Sequence, residues 1–305
     1  MKPTPIRRRS TQRASIIAIA AAIAAVVVAA APGATKPQWI VFSAAPKGST
    51  TTQLFRIRTT GGVVDQITKG ALPAIAPSFS SDGKTILFTR LGSGIFRVNL
   101  DGTGLRRLTS NGRDSYPTSS PDGRQIAFVR PFKGNWRVHM MSSTGAGERV
   151  LPQAPLASRP SWTRQGLLIP SEGDLVRIND ATGKIEKYYG AEIDPVWGLN
   201  QTAVSPDTST IAFIGSRKPD PGDMECGEGP CQRFALYTQD IRGKKSPRQL
   251  VRDGGPATFS PDGKRLALVA RNGLVLWSLA DGTSKTIATG NAYPTVAAPP
   301  AWQPR

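Results

Sequence analysis

Hydrophobic residues in this chain come in short alternating runs separated by turn-forming clusters, and one phrase is written repeatedly. Thr118-Ser119-Ser120-Pro121-Asp122-Gly123-Arg124-Gln125-Ile126-Ala127-Phe128 reads as a strand end, a tight turn and a second strand. Proline presets φ for the turn, aspartate bonds the backbone two residues on, and glycine accepts positive φ. Beyond the turn, Ile126 and Phe128 alternate with other positions at strand period. The phrase returns at Phe79-Ser80-Ser81-Asp82-Gly83 and at Phe259-Ser260-Pro261-Asp262-Gly263. It is degraded at Ser161-Trp162-Thr163-Arg164-Gln165-Gly166, where Gln165 replaces the aspartate, and at Ser205-Pro206-Asp207-Thr208, where Thr208 replaces the glycine.

A second pattern accompanies the first: an alternating strand, a glycine-containing turn and a short outer strand. It occurs at Leu54–Arg58, Ile95–Leu100, Trp136–Met140, Leu175–Asn179, Leu236–Arg242 and Val275–Leu279. Most copies are about forty residues apart, the period of a four-stranded propeller blade. Pro300-Ala301-Trp302 aligns with the first strand of a blade, and the strands that would complete it begin at Gln38-Trp39-Ile40-Val41-Phe42. The expected fold is all-β: a six-bladed propeller of four-stranded antiparallel blades, its ring closed by N- and C-terminal strands sharing one blade. Such closure removes exposed sheet edges. Phe88, Phe96, Phe128, Trp136, Phe213 and Trp277 are the expected aromatic contributors to the core.

Repeats reading Phe-Ser-Pro-Asp-Gly-Lys, followed by a hydrophobic strand, Asp-Gly and a Leu-Thr ending (Asp101-Gly102, then Arg106-Arg107-Leu108-Thr109), resemble the WD40-like PD40 repeats of the TolB-type six-bladed propeller family. The resemblance covers residues 36–305. It implies the fold rather than a particular activity, because the repeat motif is structural. TolB carries an α/β domain before its propeller, whereas here a single apolar segment precedes the first strand. The expected organisation is a signal peptide or N-terminal membrane anchor over 1–34 and a TolB-like propeller over 35–305.

That segment has the layout of an export signal. Lys2, Arg7, Arg8, Arg9 and Arg13 precede an uncharged, mostly apolar run from Ala14 to Ala31, which ends at Pro32-Gly33. The run is also long enough to remain as a spanning anchor, and both outcomes place the remainder outside the cytoplasm, secreted or membrane-anchored. The formal charge of +18 is only partly due to this segment. The basic excess fits an anionic envelope polymer or surface, and equally a solvated basic face. Export makes specific nucleic-acid binding the weakest option, and the membrane is engaged only through the N-terminal segment.

Little in the sequence reads as catalysis. The single histidine, His139, lies in an alternating strand opposite Trp136, Val138 and Met140, where a structural role is expected. There is no G-x-S-x-G nucleophile elbow. Asp82, Asp122, Asp207 and Asp262 fall one per blade and read as turn formers, not as a convergent calcium site. No catalytic residue, metal site or cofactor is expected. Cys226 and Cys231 lie in the longest insertion, residues 216–233, and in an exported chain they are expected to pair as a disulfide.

Arginines supply the candidate binding groups. Arg90 and Arg130 each stand seven residues beyond their turn glycine, with Arg217 and Arg271 near the corresponding places in other blades. Arg113 and Arg159 lie in connections between blades. Second-to-third-strand loops and inter-blade connections emerge on one face, so these groups either ring the mouth of the channel as an anion site or are separately solvated. The leading expectation is an exported, monomeric, non-catalytic propeller that binds a cell-envelope or extracellular protein or anionic polymer through its loop face. The alternatives are a polymer-acting hydrolase or lyase using Asp114, Glu192 and Asp194, and a sensor of a small anionic ligand at the channel mouth.

Overall fold

The computed structural model describes residues 38–133, 135–151, 159–171, 174–189, 202–216, 234–242, 246–252, 254–270, 273–288, 292–294 and 298–304. They form six antiparallel sheets, one per blade, as the repeats predict. The second blade is representative, running Ala74–Phe79, Thr85–Arg90, Gly94–Asn99 and Arg106–Arg107 from the axis outward. The expected signal or anchor segment lies outside the described residues, as do Arg217, Arg271, Cys226 and Cys231.

No single central core holds the ring. Each of the six interfaces between neighbouring blades has its own buried cluster. The strand Trp39–Pro46 shows why its residues are nearly all apolar. Ile40, Phe42 and Ala44 pack against Leu274, Leu276 and Ile287 of the sixth blade. Val41 points the other way, to Ile86, Phe88 and Val98 of the second. A blade is therefore buried on both faces, and period-2 alternation sorts hydrophobic residues between two neighbours rather than between core and solvent. The same geometry places both faces of Asn135–Ser142: Val138 and Met140 meet the fourth blade, while Met141 packs beside Phe128 towards the second. Phe88, Phe128 and Phe213 are buried as expected, and Phe96 and Trp277 pack partly buried against the clusters. Trp136 departs from the expectation. It sits near the tip of the long third-blade hairpin and is exposed.

The Ser-Pro-Asp-Gly phrase closes on itself by hydrogen bonds. In the third blade Ser120 Oγ donates to Asp122 Oδ1 (2.6 Å), the Arg124 amide donates to the same oxygen (3.0 Å), and the Gln125 amide donates to Ser120 Oγ (2.9 Å). The arrangement repeats at Ser80/Asp82, Ser205/Asp207 and Ser260/Asp262. These bonds, led by the serine hydroxyl, hold the Asp82, Asp122 and Asp207 carboxyls below the ordinary range. The turns also stack around the ring. A Cβ on Gly83 would lie 3.4 Å from Pro304, and one on Gly123 would lie 2.5 Å from Ser81 Oγ of the preceding turn. Glycine is thus required at position 123 for its φ of +72° and for the closeness of its neighbour.

Closure follows the expected division. The first blade takes Trp39–Pro46, Gln53–Arg58 and Asp65–Gln66 from the N-terminal side, and Trp39–Pro46 pairs with Ala292–Pro294 and Ala301–Trp302. Two glutamines lock the seam. Gln38 Nε2 donates to the Gln303 carbonyl (2.7 Å), and the Trp39 amide donates to Gln303 Oε1 (3.1 Å). Trp302 Nε1 donates to Gln38 Oε1 (3.2 Å), and Gln303 Nε2 reaches across to the Gly83 carbonyl (3.0 Å).

Thr208 occupies the turn-glycine position at φ +58°, with its buried hydroxyl unbonded. A β-branched residue is strained in that region. Thr208→Gly is therefore expected to stabilise the fold by roughly 1 kcal/mol, read as a higher urea midpoint with unchanged slope. An unchanged or lower midpoint would show that the turn carries no such strain.

Candidate functional site

The inner strands leave two rims around the axis. The Ser-Pro-Asp-Gly turns form one. The second-to-third-strand loops and the inter-blade connections form the other, where the candidate arginines were expected to gather.

On that loop rim, Arg90 and Arg130 have equivalent roles, both inward. Arg90 is buried, with its guanidinium 5.8 Å from the Phe88 ring centroid and 5.6 Å from that of Phe96, and Nη2 donates to the Lys69 carbonyl (3.2 Å). Burial lowers its pKa. Arg130 donates from Nε and Nη2 to Asp114 (2.5 and 2.9 Å) and from Nη1 and Nη2 to Glu148 (2.5 and 3.1 Å). The Asp114 hydrogen bonds raise its pKa, and two carboxylates neutralise its charge. Both side chains tie a blade's second strand to the connection that enters the blade. Arg113 is exposed on that connection, next to Asp114.

Asp114 is completely buried. Its engagement by Arg130 removes it as a general acid or base for a polymer substrate. Glu192 and Asp194 lie outside the described residues. His139 belongs to the same network: its ring stacks on Phe128 at 5.4 Å between centroids, and Nδ1 is 3.2 Å from Glu148 Oε1. The carboxylate can only accept, so Nδ1 carries the proton of the neutral ring. Burial, then the Arg130 charge, lowers the His139 pKa. Burial pushes Glu148 up, but the hydrogen bonds and charges of Arg130 and His139 together outweigh it and leave Glu148 low.

The other concentration of polar groups lies on the axis. A cavity of about 530 Å³ is lined by all six inner strands and by the turns at their ends. Ser78, Thr118, Ser161, Ala203, Thr258 and Ala301 hold one repeat position along its wall. Ser81, Pro121, Arg164, Pro206, Pro261 and Pro304 hold the second turn position at its rim. Hydroxyls therefore dominate the wall. Two arginines, Arg159 and Arg164, also line the cavity, and among the described residues no Asp or Glu does. The turn aspartates bond inward within their own turns and contribute no charge to the wall. Both arginines flank the inner strand Ser161–Thr163 of the fourth blade.

Of the expected arginines among the described residues, Arg159 is the one that reaches the cavity. Arg90 and Arg130 are committed elsewhere, and Arg113 is exposed in its loop. Arg164 was not singled out from the sequence, although the signal was present: it is the one charged residue at a turn position otherwise filled by proline or serine. At the opposite end of the inner strands, Ile75, Ala76, Ala298 and Tyr116 form an apolar cluster. Ala76 and Tyr116 precede prolines in equivalent bulges at φ +52° and +55°.

Repeats, blade topology and split closing blade together define a TolB-type propeller. The family model described as the TolB beta propeller domain, PD40, matches residues 21–173, and the chain belongs to that family. The Tol-Pal system protein TolB of Rhizorhabdus wittichii is 37% identical over 87 residues, which are 27% of this chain and 19% of that protein. The Tol-Pal system protein TolB of Zymomonas mobilis is 40% identical over 88 residues, 27% of this chain and 18% of that protein. The match thus spans less than a fifth of each relative's length. The crystal structure of TolB from Acinetobacter baumannii superposes with a TM-score of 0.69 at 17% identity, over 88% of this chain and 67% of that one, a likeness of fold.

Arg130→Ala leaves the fully buried Asp114 without its partner and is expected to cost about 3–5 kcal/mol, measured by chemical denaturation; a loss under about 1 kcal/mol would show the network to be dispensable. Stability is also expected to fall with acid in two stages. His139 binds its proton less readily folded than unfolded, so stability drops as pH falls below about 6.5. Glu148, lower folded than unfolded, adds a second loss below about 4.5. His139→Phe is expected to remove the first stage from the stability–pH curve and leave the second.

Proposed function

We propose that this chain is an extracytoplasmic, non-catalytic binding propeller that engages a cell-envelope protein or polymer with the rim and wall of its axial cavity. The observation that carries the reading is the composition of that cavity. It offers hydroxyls, backbone edges and two arginines on a rigid scaffold, which is the equipment of recognition. The ionisable groups of the loop rim that could have served acid–base chemistry, Asp114, Glu148 and His139, are occupied with one another and with Arg130. The basic n-region and apolar run before the propeller support export, and relatives named for the Tol-Pal system support a protein partner in the envelope.

Two measurements test this. Alkaline phosphatase fused after Arg305 is expected to be active in cells and inactive once residues 2–31 are deleted; activity without the segment, or none with it, overturns export. A photo-crosslinking residue at Arg164, on the cavity rim, is expected to capture a defined envelope component in vivo, whereas one at the exposed outer-strand residue Tyr188 does not. Equal capture at both positions, or at neither, overturns the cavity as the binding surface.

A further inference from the structure

Arg159 differs from Arg90 and Arg130 in having no group that holds its guanidinium. Among the described residues no carboxylate pairs with it and no hydrogen bond is made to its guanidinium; Tyr116 is the ionisable group close enough to influence its charge. Its surroundings are mostly protein, and burial pushes its pKa down to about 10. Yet it remains partly accessible to solvent and lines the cavity. These facts are compatible in one place, the inside of a channel, where a side chain is surrounded by protein and still touches the space between the walls.

A desolvated cation without a partner is unfavourable. Arg90 and Arg130 avoid the cost with aromatic faces, a carbonyl and two carboxylates. Tyr116, by contrast, is held in the left-handed region by the bulge before Pro117, with its backbone amide donating to Thr89 Oγ1 (3.1 Å). Burial raises its hydroxyl pKa, against the opposing pull of Arg159, so at neutral pH it is an uncharged donor. The neutral phenol leaves the Arg159 charge uncompensated, and a guanidinium in that condition is the chemistry that holds a carboxylate. Along the strand from Arg159, Ser161 lines the same wall, and Arg164 adds a second positive charge at the rim.

We propose that Arg159 forms an oxyanion site inside the axial channel that takes a carboxylate, arriving either as a free small acid or on an acidic peptide inserted from the turn rim. The inference deepens the binding reading above by naming the ligand chemistry. The site itself does not depend on that reading, since a free carboxylate can bind whether or not an envelope partner exists.

The test uses the full chain at fixed ionic strength, with isothermal titration of citrate, of the peptide Gly-Ser-Gly-Asp-Glu with a free C-terminus, and of its uncharged counterpart Gly-Ser-Gly-Asn-Gln amide. Saturable binding of citrate or of the acidic peptide, but not of the uncharged peptide, is expected. It should weaken at least about tenfold in Arg159→Gln and be unchanged in Arg106→Gln on an outer strand. Binding of citrate identifies a free acid as sufficient; binding of the acidic peptide alone identifies a chain-borne carboxylate. A second readout separates a binding arginine from a structural one: ligand-free Arg159→Gln is expected to melt about 2 °C or more above the parent, because an uncompensated charge has been removed. No saturable binding of either acid, equal binding in Arg159→Gln, or a lower melting temperature for that variant would overturn the assignment. Should Arg159→Gln fail to fold, that failure counts against the proposal in the same way.

Discussion

Every interface in this molecule depends on the pairing of Trp39–Pro46 with strands that lie some 250 residues further along the chain. Bringing such distant segments together costs chain entropy, though the cost grows only slowly with loop length. The seam offsets it with two kinds of contact. Trp302 and Ile40 enter the same buried cluster as the sixth blade. Gln38 and Gln303 exchange side-chain and backbone bonds and so fix the register. Register matters here more than in an open sheet. A one-residue slip would turn Ile40 and Phe42 towards the second blade and Val41 towards the sixth, upsetting two clusters at once.

From that seam the rest of the ring follows. With no shared centre, each blade is stable only between two others, and the innermost strands are left to line an axis instead of filling it. The axis is therefore polar by construction. Its wall is made of backbone edges and of small residues at the repeat position of Ser78, Thr118 and Ser161. The loop rim, which the sequence suggested as the basic face, is instead where Arg90 and Arg130 pin the inter-blade connections.

How far the sequence could be read depended on whether a residue obeyed the repeat. Turn chemistry, blade period and split closing blade were all legible, because Ser120, Asp122 and Gly123 have local roles that do not change with context. Arg90 and Arg130 looked functional for the same reason that they are structural: equivalent positions in successive repeats meet equivalent neighbours. Sequence does not reveal that Asp114, sixteen residues before Arg130, would be enclosed beside it. Nor could alternation decide between buried and exposed at the end of a hairpin, which is why Trp136 was placed in the core. The informative positions were departures from the pattern. The fourth blade, whose turn lost its aspartate to Gln165, is also the blade that brings Arg159 and Arg164 to the cavity, and Thr208 marks the other degraded turn by its backbone conformation.

The contact between Ser81 and Gly123, and its counterpart between Pro304 and Gly83, has a consequence for how such a ring can change over generations. The second turn position of one blade is fitted to the glycine of the next, so the unit of inheritance is not a blade but the joint between two. A duplicated or transplanted blade would arrive with one compatible joint and one foreign one. Substitutions at the two halves of a joint should therefore appear in company, and a blade free to drift in its turn, as the fourth has, gains that freedom where its joint has already been loosened.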